Sequence, residues 1–374
     1  MTCPAPVRTM ILRATIVAAT ASVVLGAAGL AAALPTRLPP SASDSAQQVL
    51  RGTVSSGSGA ASRAVGLAQV VVYASARTGT QVLGRTHTDA DGHFSLAIPR
   101  EVRSRYVTAT VDRHRTLVTM LGTTLPGRIS VNEMTTVAAA YASAQLARGT
   151  MIAGTDLQLE SAAGMAANLV SPTSGMPSQV ITSPPNANET NTWRELGTLA
   201  NILAACVRAE PGAAACTRLF ALARTTAQPT TWHAVLAIAR NPARDVSAIY
   251  ALGDHAHVFR PYLPAALGPA ARSKWTRLDA FTLAVKVNAT GRAQDGKEVC
   301  PFGGPGNLAF DLRGYAWITN NVVQGTPNSA NCIIVLRPDG KPADGRAGAP
   351  SSPVQGAGIL GQGFGLGFDP RGRL

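Results

Sequence analysis

Hydrophobic and polar residues alternate in short runs along residues 49–124. The apolar run Val70-Val71-Val72-Tyr73 is typical of a buried strand, and Asp91-Gly92 is a strong turn signal. Beyond the turn, alternating positions place three apolar side chains on one face: Phe94, Leu96 and Ile98. The pattern predicts a small β-sandwich over residues 49–124.

Residues 125–270 change to an alanine-rich composition with apolar residues at helical spacing. Ser130–Glu133 and Thr192–Glu195 match the capping-box pattern, in which a Ser or Thr precedes a Glu by three residues, so each predicts a helix start. Pro211-Gly212 interrupts the second of these helices. The segment is therefore predicted to be helical and to contain a helical hairpin.

Residues 271–374 return to strand patterns and contain a sequence repeat. Phe310-Asp311-x-Arg313-Gly314 recurs 58 residues later as Phe368-Asp369-x-Arg371-Gly372, and a strand with Trp317 and Asn320 follows the first copy. Repeats of this size are typical of arrays and propellers, whose blades have four strands each. We predict the first blade and the start of the second blade of an incomplete β-propeller, with Asp311 and Asp369 in structural roles at strand ends.

One strand of this region precedes the repeat, because apolar residues alternate from Phe281 to Val287. It is expected to complete the last blade. The predicted fold class is multidomain and mainly β with an α-helical middle, and we expect the chain to be a truncated piece of a longer architecture.

The amino terminus has the pattern of a targeting segment. Arg8 and Arg13 precede an uncharged run over residues 14–33, and Ala31-Ala32-Ala33 fits a small-residue cleavage site. Because the run approaches the roughly 20 residues that span a bilayer, residues 1–33 are either an export signal or an N-terminal anchor. The Pro- and Ser-containing residues 34–48 are predicted to be a linker.

Export changes how the cysteines are interpreted. Four follow the targeting segment: Cys206, Cys216, Cys300 and Cys332. An even number in an oxidising compartment indicates two disulfides, and local spacing favours Cys206–Cys216 and Cys300–Cys332 among three possible pairings. A zinc site is the alternative, but no two of these cysteines have Cys-x-x-Cys spacing.

Composition excludes a disordered chain and argues against a nucleic-acid partner. Hydrophobic residues make up 46% and charged residues 14%, and the formal net charge is +13. The densest basic group, over residues 100–115, contains a single aromatic residue, Tyr106, whereas a nucleic-acid surface needs interleaved stacking aromatics. Contact with a membrane is expected only through an uncleaved N-terminal segment.

Candidate chemistry is sparse. His255 and His257 form a possible metal pair without an evident third ligand. Residues 356–361 satisfy G-x-G-x-x-G, but the preceding Ser351-Ser352-Pro353 is not a strand, so a connector is predicted. Asp89-x-Asp91-Gly92 resembles the start of a calcium loop, yet Arg100 replaces the final glutamate, which favours a hairpin turn. The sequence identifies neither a cofactor nor a set of catalytic residues.

Three segments resemble known families. Gly52-Thr53-Val54, Ala68–Val72 and Thr88–Phe94 resemble carboxypeptidase regulatory-like domains, the transthyretin-like and Cna-B-like sandwiches of surface proteins. Residues 131–138, 167–170, 199–206 and 238–242 resemble, in this order, a segment that precedes the propeller in exported bacterial proteins. Residues 307–320 look like the opening of an NHL-type or streptogramin-lyase-like propeller.

These resemblances imply two functions. The first is an exported, non-catalytic binding or cell-surface protein, found outside the cell or in its envelope, with the propeller as a platform. The resemblances do not specify a ligand, and cell-envelope material is one candidate. The alternative is a streptogramin-lyase-like or lactonase-like enzyme whose catalytic blades lie beyond residue 374. For the chain as it stands, the binding protein is favoured over the enzyme.

Overall fold

The computed structural model describes residues 47–100, 103–210, 213–225, 229–254, 256–263, 279–287, 297–301, 303–323, 326, 331–348, 350–355 and 365–374. The predicted export signal or anchor, nearly all of the predicted linker and the glycine-rich segment 356–361 lie outside these residues. Residues Ser45–Leu374 form one compact unit.

Strands and helices alternate in blocks along the described residues. The strands are β1 (Gln47–Ser56), β2 (Arg63–Ala64), β3 (Gln69–Ala76), β4 (Gly79–His87), β5 (His93–Pro99), β6 (Arg105–Thr110), β7 (Thr116–Gly122), β8 (Arg128–Val131), β9 (Ala147–Arg148), β10 (Met151–Ile152), β11 (Gly304–Phe310), β12 (Ala316–Val322), β13 (Cys332–Leu336) and β14 (Val354–Gln355). The helices are α1 (Glu133–Ala142), α2 (Asp156–Leu169), α3 (Gln179–Thr182), α4 (Thr192–Val207), α5 (Ala214–Leu222), α6 (Thr231–Arg240) and α7 (Val246–Tyr250).

The first two sheets pack face to face. In the first, β1 pairs antiparallel with β2 and β5 and parallel with β8. The second is antiparallel throughout, in the order β4-β3-β6-β7. Apolar side chains from both sheets fill the space between them, among them Leu50, Val54, Val72, Phe94, Val107 and Leu117. The predicted mixture of small sheets around an α-helical middle is confirmed.

The turn after β4 connects the two sheets. Asp89 Oδ1 accepts hydrogen bonds from the backbone N–H groups of Asp91 at 3.0 Å and His93 at 2.8 Å, and Gly92 adopts φ +76°. A turn was predicted here, but as a hairpin, which is wrong. The chain leaving the turn pairs with β1 instead of β4, because Val54 N–H donates to Gly92 O at 2.8 Å and Thr53 lies opposite His93.

The first sheet also includes a strand from the segment predicted to be helical. β8 pairs in parallel with β1, from Arg51 opposite Arg128 to Val54 opposite Val131. Ile129 and Val131 are buried in the core between the sheets. The sandwich therefore extends beyond residue 124, and the chain enters α1 directly from its first sheet.

The helices form a third layer on the outer face of the second sheet. Tyr106, Val118 and Met120 share one hydrophobic core with Met134 and Val137 of α1. The alternate residues of the same strands face the first sheet, so β7 is buried along its whole length and β6 as far as Ala109. The order of layers is sheet, sheet, helices.

Neither predicted capping box forms at its predicted residues. The N-cap of α1 is Asn132, whose side chain accepts from Thr135 N–H at 2.9 Å, while Thr135 Oγ1 accepts from Asn132 N–H at 3.0 Å. Ser130 is unavailable because it lies in β8. At α4 the N-cap is Asn191, one residue before the predicted Thr192, and Glu195 turns into the interior with a side chain only 6% exposed.

The segment predicted to complete the last blade lies across the helices instead. Residues 281–287 have no regular secondary structure and are in no strand ladder of the described part of the chain. Tyr141 Oη donates to Phe281 O at 2.7 Å, Thr192 Oγ1 donates to Ala284 O at 2.5 Å, and Asn186 Nδ2 donates to Lys286 O at 2.8 Å. The predicted blade position is wrong, because side chains of the helical layer satisfy this backbone.

The last sheet is an antiparallel meander in the order β11-β12-β13-β14. The described residues contain this four-stranded sheet and no closed barrel or propeller. The turn after β13 contacts α2, since Asn168 Nδ2 donates to Asp339 O at 2.8 Å. Within the described ranges, no helix combines the length and apolarity that a membrane span requires.

We expect Glu195→Gln to stabilise the protein at alkaline pH. Burial raises the pKa of Glu195 from 4.5 to about 8, and its Oε2 has no hydrogen-bond partner in the described residues. The folded state therefore holds more protons than the unfolded chain between those pH values, and stability falls as pH rises through that window. Glutamine cannot ionise, so the variant avoids a loss on the order of 5 kcal/mol above pH ~8.

Denaturant unfolding of both proteins, at about pH 5 and about pH 9, measures this effect. The buried Glu133 is present in both proteins, so its share of the pH dependence cancels in the difference. A stability difference that is the same at both pH values would show that Glu195 ionises normally in the folded state.

Candidate functional site

A cavity of about 530 Å³ opens where the start of the sandwich meets the α4–α5 hairpin. Three guanidinium groups line it, those of Arg63 in β2, Arg208 at the end of α4 and Arg218 in α5. The rest of the wall is apolar and consists mainly of alanines from α4, α5 and the segment after α7. We call this cavity the arginine cleft.

Arg208 is held in place by the backbone of the sandwich. Its Nη1 donates to Ser56 O at 3.1 Å and to Ala61 O at 2.8 Å. Partial burial lowers the pKa of Arg208, the nearby Arg63 lowers it further, and Glu133 acts in the opposite direction. The guanidinium is thus fixed beside another positive charge in partly desolvated surroundings.

Ser56 connects the cleft with a buried acid behind it. It lies opposite Arg63 in the β1–β2 pair, and its Oγ donates a short hydrogen bond to Glu133 Oε1. Gly57 N–H donates to Glu133 Oε2 at 3.2 Å. Burial raises the pKa of Glu133 to about 7, although these two donors and Arg208 oppose the rise. Burial thus favours the neutral form of Glu133, which weakens its opposition to the positive charge of the cleft.

Positive charge dominates the cleft. No carboxylate is among the described residues that line it, and in that part of the chain none of its three arginines is in an ion pair. Fixed guanidinium groups are well suited to carboxylate or phosphate oxygens, which they bind through two parallel hydrogen bonds. The chemistry of the described lining residues is therefore suited to an anion.

A neighbouring cavity of about 340 Å³ lacks this character. It lies on the other side of the hairpin and is lined by Asp112, Arg115 and Glu210, among others. Arg115 is already paired with Asp112, Nη2 to Oδ2 at 2.8 Å. Asp112 therefore neutralises the positive charge of Arg115, and the arginine cleft is the stronger candidate site for an anion.

A disulfide braces the wall of the arginine cleft. Cys206 of α4 and Cys216 of α5 are bonded, with their Cα atoms 4.6 Å apart, next to the lining residues Ala205 and Ala215. Cys300 and Cys332 lie at disulfide distance in the last sheet, with Cα atoms 6.2 Å apart. Both pairs are those favoured by local spacing.

The predicted histidine pair is only partly described. His255 lies outside the described residues. His257 stacks on Tyr262 at 4.2 Å between ring centroids, and its Nε2 lies 3.9 Å from Asp254 Oδ1. Among the residues that the structure describes, no group of three or more His, Cys, Asp or Glu side chains could hold a metal ion.

The two copies of the sequence repeat fold into the same turn. Asp311 Oδ1 accepts from the N–H groups of Arg313 and Tyr315 at 2.8 and 2.9 Å, and Asp369 Oδ1 accepts from Arg371 and Arg373 at 2.9 Å each. Gly314 and Gly372 adopt φ +78° and +76°. Because Asp89 and Gly92 make the same turn in the sandwich, this geometry is a general way to reverse the chain and is not specific to a propeller.

Other residues of the repeat pack the last sheet. Trp317 Nε1 donates to Asp311 Oδ2 at 3.0 Å, and Phe368 of the second copy contacts Trp317 edge to face, with ring centroids 5.6 Å apart. Asn320 is buried and donates to Pro301 O. Phe310 is 65% exposed on the edge strand. The repeat residues therefore have structural contacts and lie outside the lining of the arginine cleft.

The arginine cleft was not predicted from the sequence. Arg63, Arg208 and Arg218 come from different elements, and no motif links them. The available signal was weak: Arg208 and Arg218 lie on the two sides of the Pro211-Gly212 break, each two residues beyond a cysteine of the bonded pair. No protein-family model matches the chain, and no curated protein matches it. The geometry of the cleft is therefore the basis for assigning a function.

We expect removal of the hairpin disulfide to weaken both the fold and the cleft. Cys206→Ala with Cys216→Ala should lower the free energy of unfolding by about 2–3 kcal/mol, because the short loop gains freedom in the unfolded chain. Urea unfolding measures this change. The same double substitution at Cys300 and Cys332 is the matched control, and it should leave anion affinity unchanged. Equal affinity losses in both variants would contradict a specific role of the hairpin.

Proposed function

We propose that the protein is an exported, non-catalytic binding protein and that the arginine cleft is its site for an anionic ligand. The observation that carries this proposal is the convergence of three guanidinium groups on one cavity, without a neutralising carboxylate among the described lining residues. A cavity of this volume is within the range of small-molecule sites. The unbalanced charge gives an anion a favourable place to bind.

The chemistry around the cleft favours binding over catalysis. Ser56 and Glu133 are the hydroxyl and carboxylate closest to the arginines in the hydrogen-bond network, but they are only 3% and 0% exposed. A nucleophile and its base must reach the substrate to act on it. This buried pair holds β1 to the start of α1 and is shielded from any ligand.

Export is supported by the cysteines. Both pairs at disulfide distance fit an oxidising compartment, and the Cys300–Cys332 pair is buried in the last sheet. We further propose that this sheet is a blade-like platform to which repeats are added. The contact of Phe368 with Trp317 supports it, since the second copy of the repeat packs on the face of the first.

We expect the purified protein to bind simple anions, with acetate, inorganic phosphate and octanoate as probes in isothermal titration calorimetry. Arg63→Gln combined with Arg218→Gln should abolish this binding, because it removes two of the three positive charges without disturbing Arg208. Arg77→Gln, an exposed arginine in the β3–β4 turn, is the matched control and should bind like the wild type. Loss of affinity at higher salt is also expected, since ion pairing is screened. Failure of all three anions to bind would overturn the proposed function.

Export has its own test. Fusion of residues 1–48 to an alkaline phosphatase without a signal peptide should give active enzyme outside the bacterial cytoplasm, because the reporter needs an oxidising compartment for its disulfides. A fusion in which Leu25 and Leu30 are replaced by Arg interrupts the apolar run and is the control. Phosphatase activity that is equally low in both fusions would show that these residues do not direct export.

A further inference from the structure

The wall of the arginine cleft is as informative as its charges. Of the twelve described residues that line it, nine are Ala, Leu or Val, and the remaining three are the arginines. We propose that the cleft binds an alkyl carboxylate, a free fatty acid whose headgroup lies among the guanidinium groups and whose chain lies on the alanine wall. This inference rests on the proposed function and names the class of ligand.

The headgroup is assigned from the arrangement of the arginines. Nη1 of Arg208 donates to two backbone carbonyls, and these bonds fix the plane of the guanidinium. The N–H groups of Nε and Nη2 are then the donors that a ligand can accept from. Arg63 and Arg218 are exposed side chains on two other elements, and they are free to approach a bound headgroup. A carboxylate has two oxygens that match such donors, and its charge relieves the repulsion between Arg63 and Arg208.

The alkyl chain of the ligand is assigned from the apolar residues of the cleft. Ala204 and Ala205 of α4, Ala214 and Ala215 of α5, and Leu252 and Val258 all line the cavity. Alanine methyl groups are apolar and short, so they leave room for a ligand that brings its own hydrocarbon. Each methylene that leaves water for such a wall increases affinity about fourfold.

The same wall argues against other anions. An inorganic phosphate or a short acid would satisfy the arginines but leave the alanines in water. A nucleotide or a sugar acid needs an aromatic ring for stacking or further polar groups for its ring. The described lining residues provide neither, since arginines are their polar members. The arginines match the carboxylate of an amphiphilic acid, and the apolar lining residues match its hydrocarbon chain.

The test is a titration of the full chain with four probes: octanoate, octan-1-ol, acetate and inorganic phosphate. Octan-1-ol keeps the chain without the charge, and acetate keeps the charge without the chain. Octanoate has six more methylenes than acetate, and each buried methylene increases affinity about fourfold. The upper limit of the gain is therefore above 100-fold, and octanoate should bind at least 100-fold more tightly than acetate. It should also bind at least tenfold more tightly than octan-1-ol, because charge-assisted hydrogen bonds are lost with the alcohol.

The outcomes separate this inference from the proposed function. If acetate or phosphate binds as tightly as octanoate, and Arg63→Gln with Arg218→Gln abolishes it, the anion site stands and the fatty-acid class is overturned. If octan-1-ol binds as tightly as octanoate, the role of the charge is overturned. If no anion binds, the proposed function fails together with the inference.

Variants of the wall give a second readout. Ala215→Leu places a larger side chain in the cleft and should weaken octanoate binding at least tenfold while changing acetate binding less than twofold. Ala221→Leu is the matched control, because it makes the same substitution at an exposed position of α5 outside the cleft. Thermal unfolding of both variants checks that they are folded. Equal octanoate affinity in the two variants would overturn the placement of the alkyl chain.

Discussion

The structure depends on burial of the second sheet on both faces. β6 and β7 present alternate residues to the first sheet and to the helices, so neither outer layer can be removed without exposing apolar strand residues to water. Val107 and Leu117 belong to one core and Tyr106 and Val118 to the other. The sandwich and the helical layer are therefore one cooperative structure, although their sequences have the character of separate domains.

The arginine cleft follows from this arrangement. Because the helices are packed on the sandwich, the end of α4 comes close to the end of β1, where Arg208 binds the carbonyl of Ser56. The same Ser56 holds Glu133 at the start of α1. Fixing Arg208 at this junction brings its charge beside Arg63 and, through the bonded α4–α5 hairpin, beside Arg218. The cleft thus forms where the start of the sandwich meets the α4–α5 hairpin.

Local chemistry was predictable and tertiary pairing was not. The turn at Asp89–Gly92, the helical hairpin and both cysteine pairs depend on neighbours in the sequence, and they were found. The partner of β5 and the place of residues 281–287 depend on which distant backbone is available, so alternation alone could not assign them. The predicted capping boxes did not form because Ser130 pairs with β1 as part of β8 and Glu195 is buried in the interior. The cleft could not be predicted from the sequence because its three arginines belong to different elements and come together only in the folded structure.

An NMR titration can show whether the arginine cleft is the ligand site. The protein is labelled with ¹³C at its alanine methyl groups and titrated with octanoate. The account predicts that the largest shifts occur at Ala204, Ala205, Ala214 and Ala215, while Ala139, buried in α1, changes little. Saturable shifts at other alanines with no response from these four would contradict it.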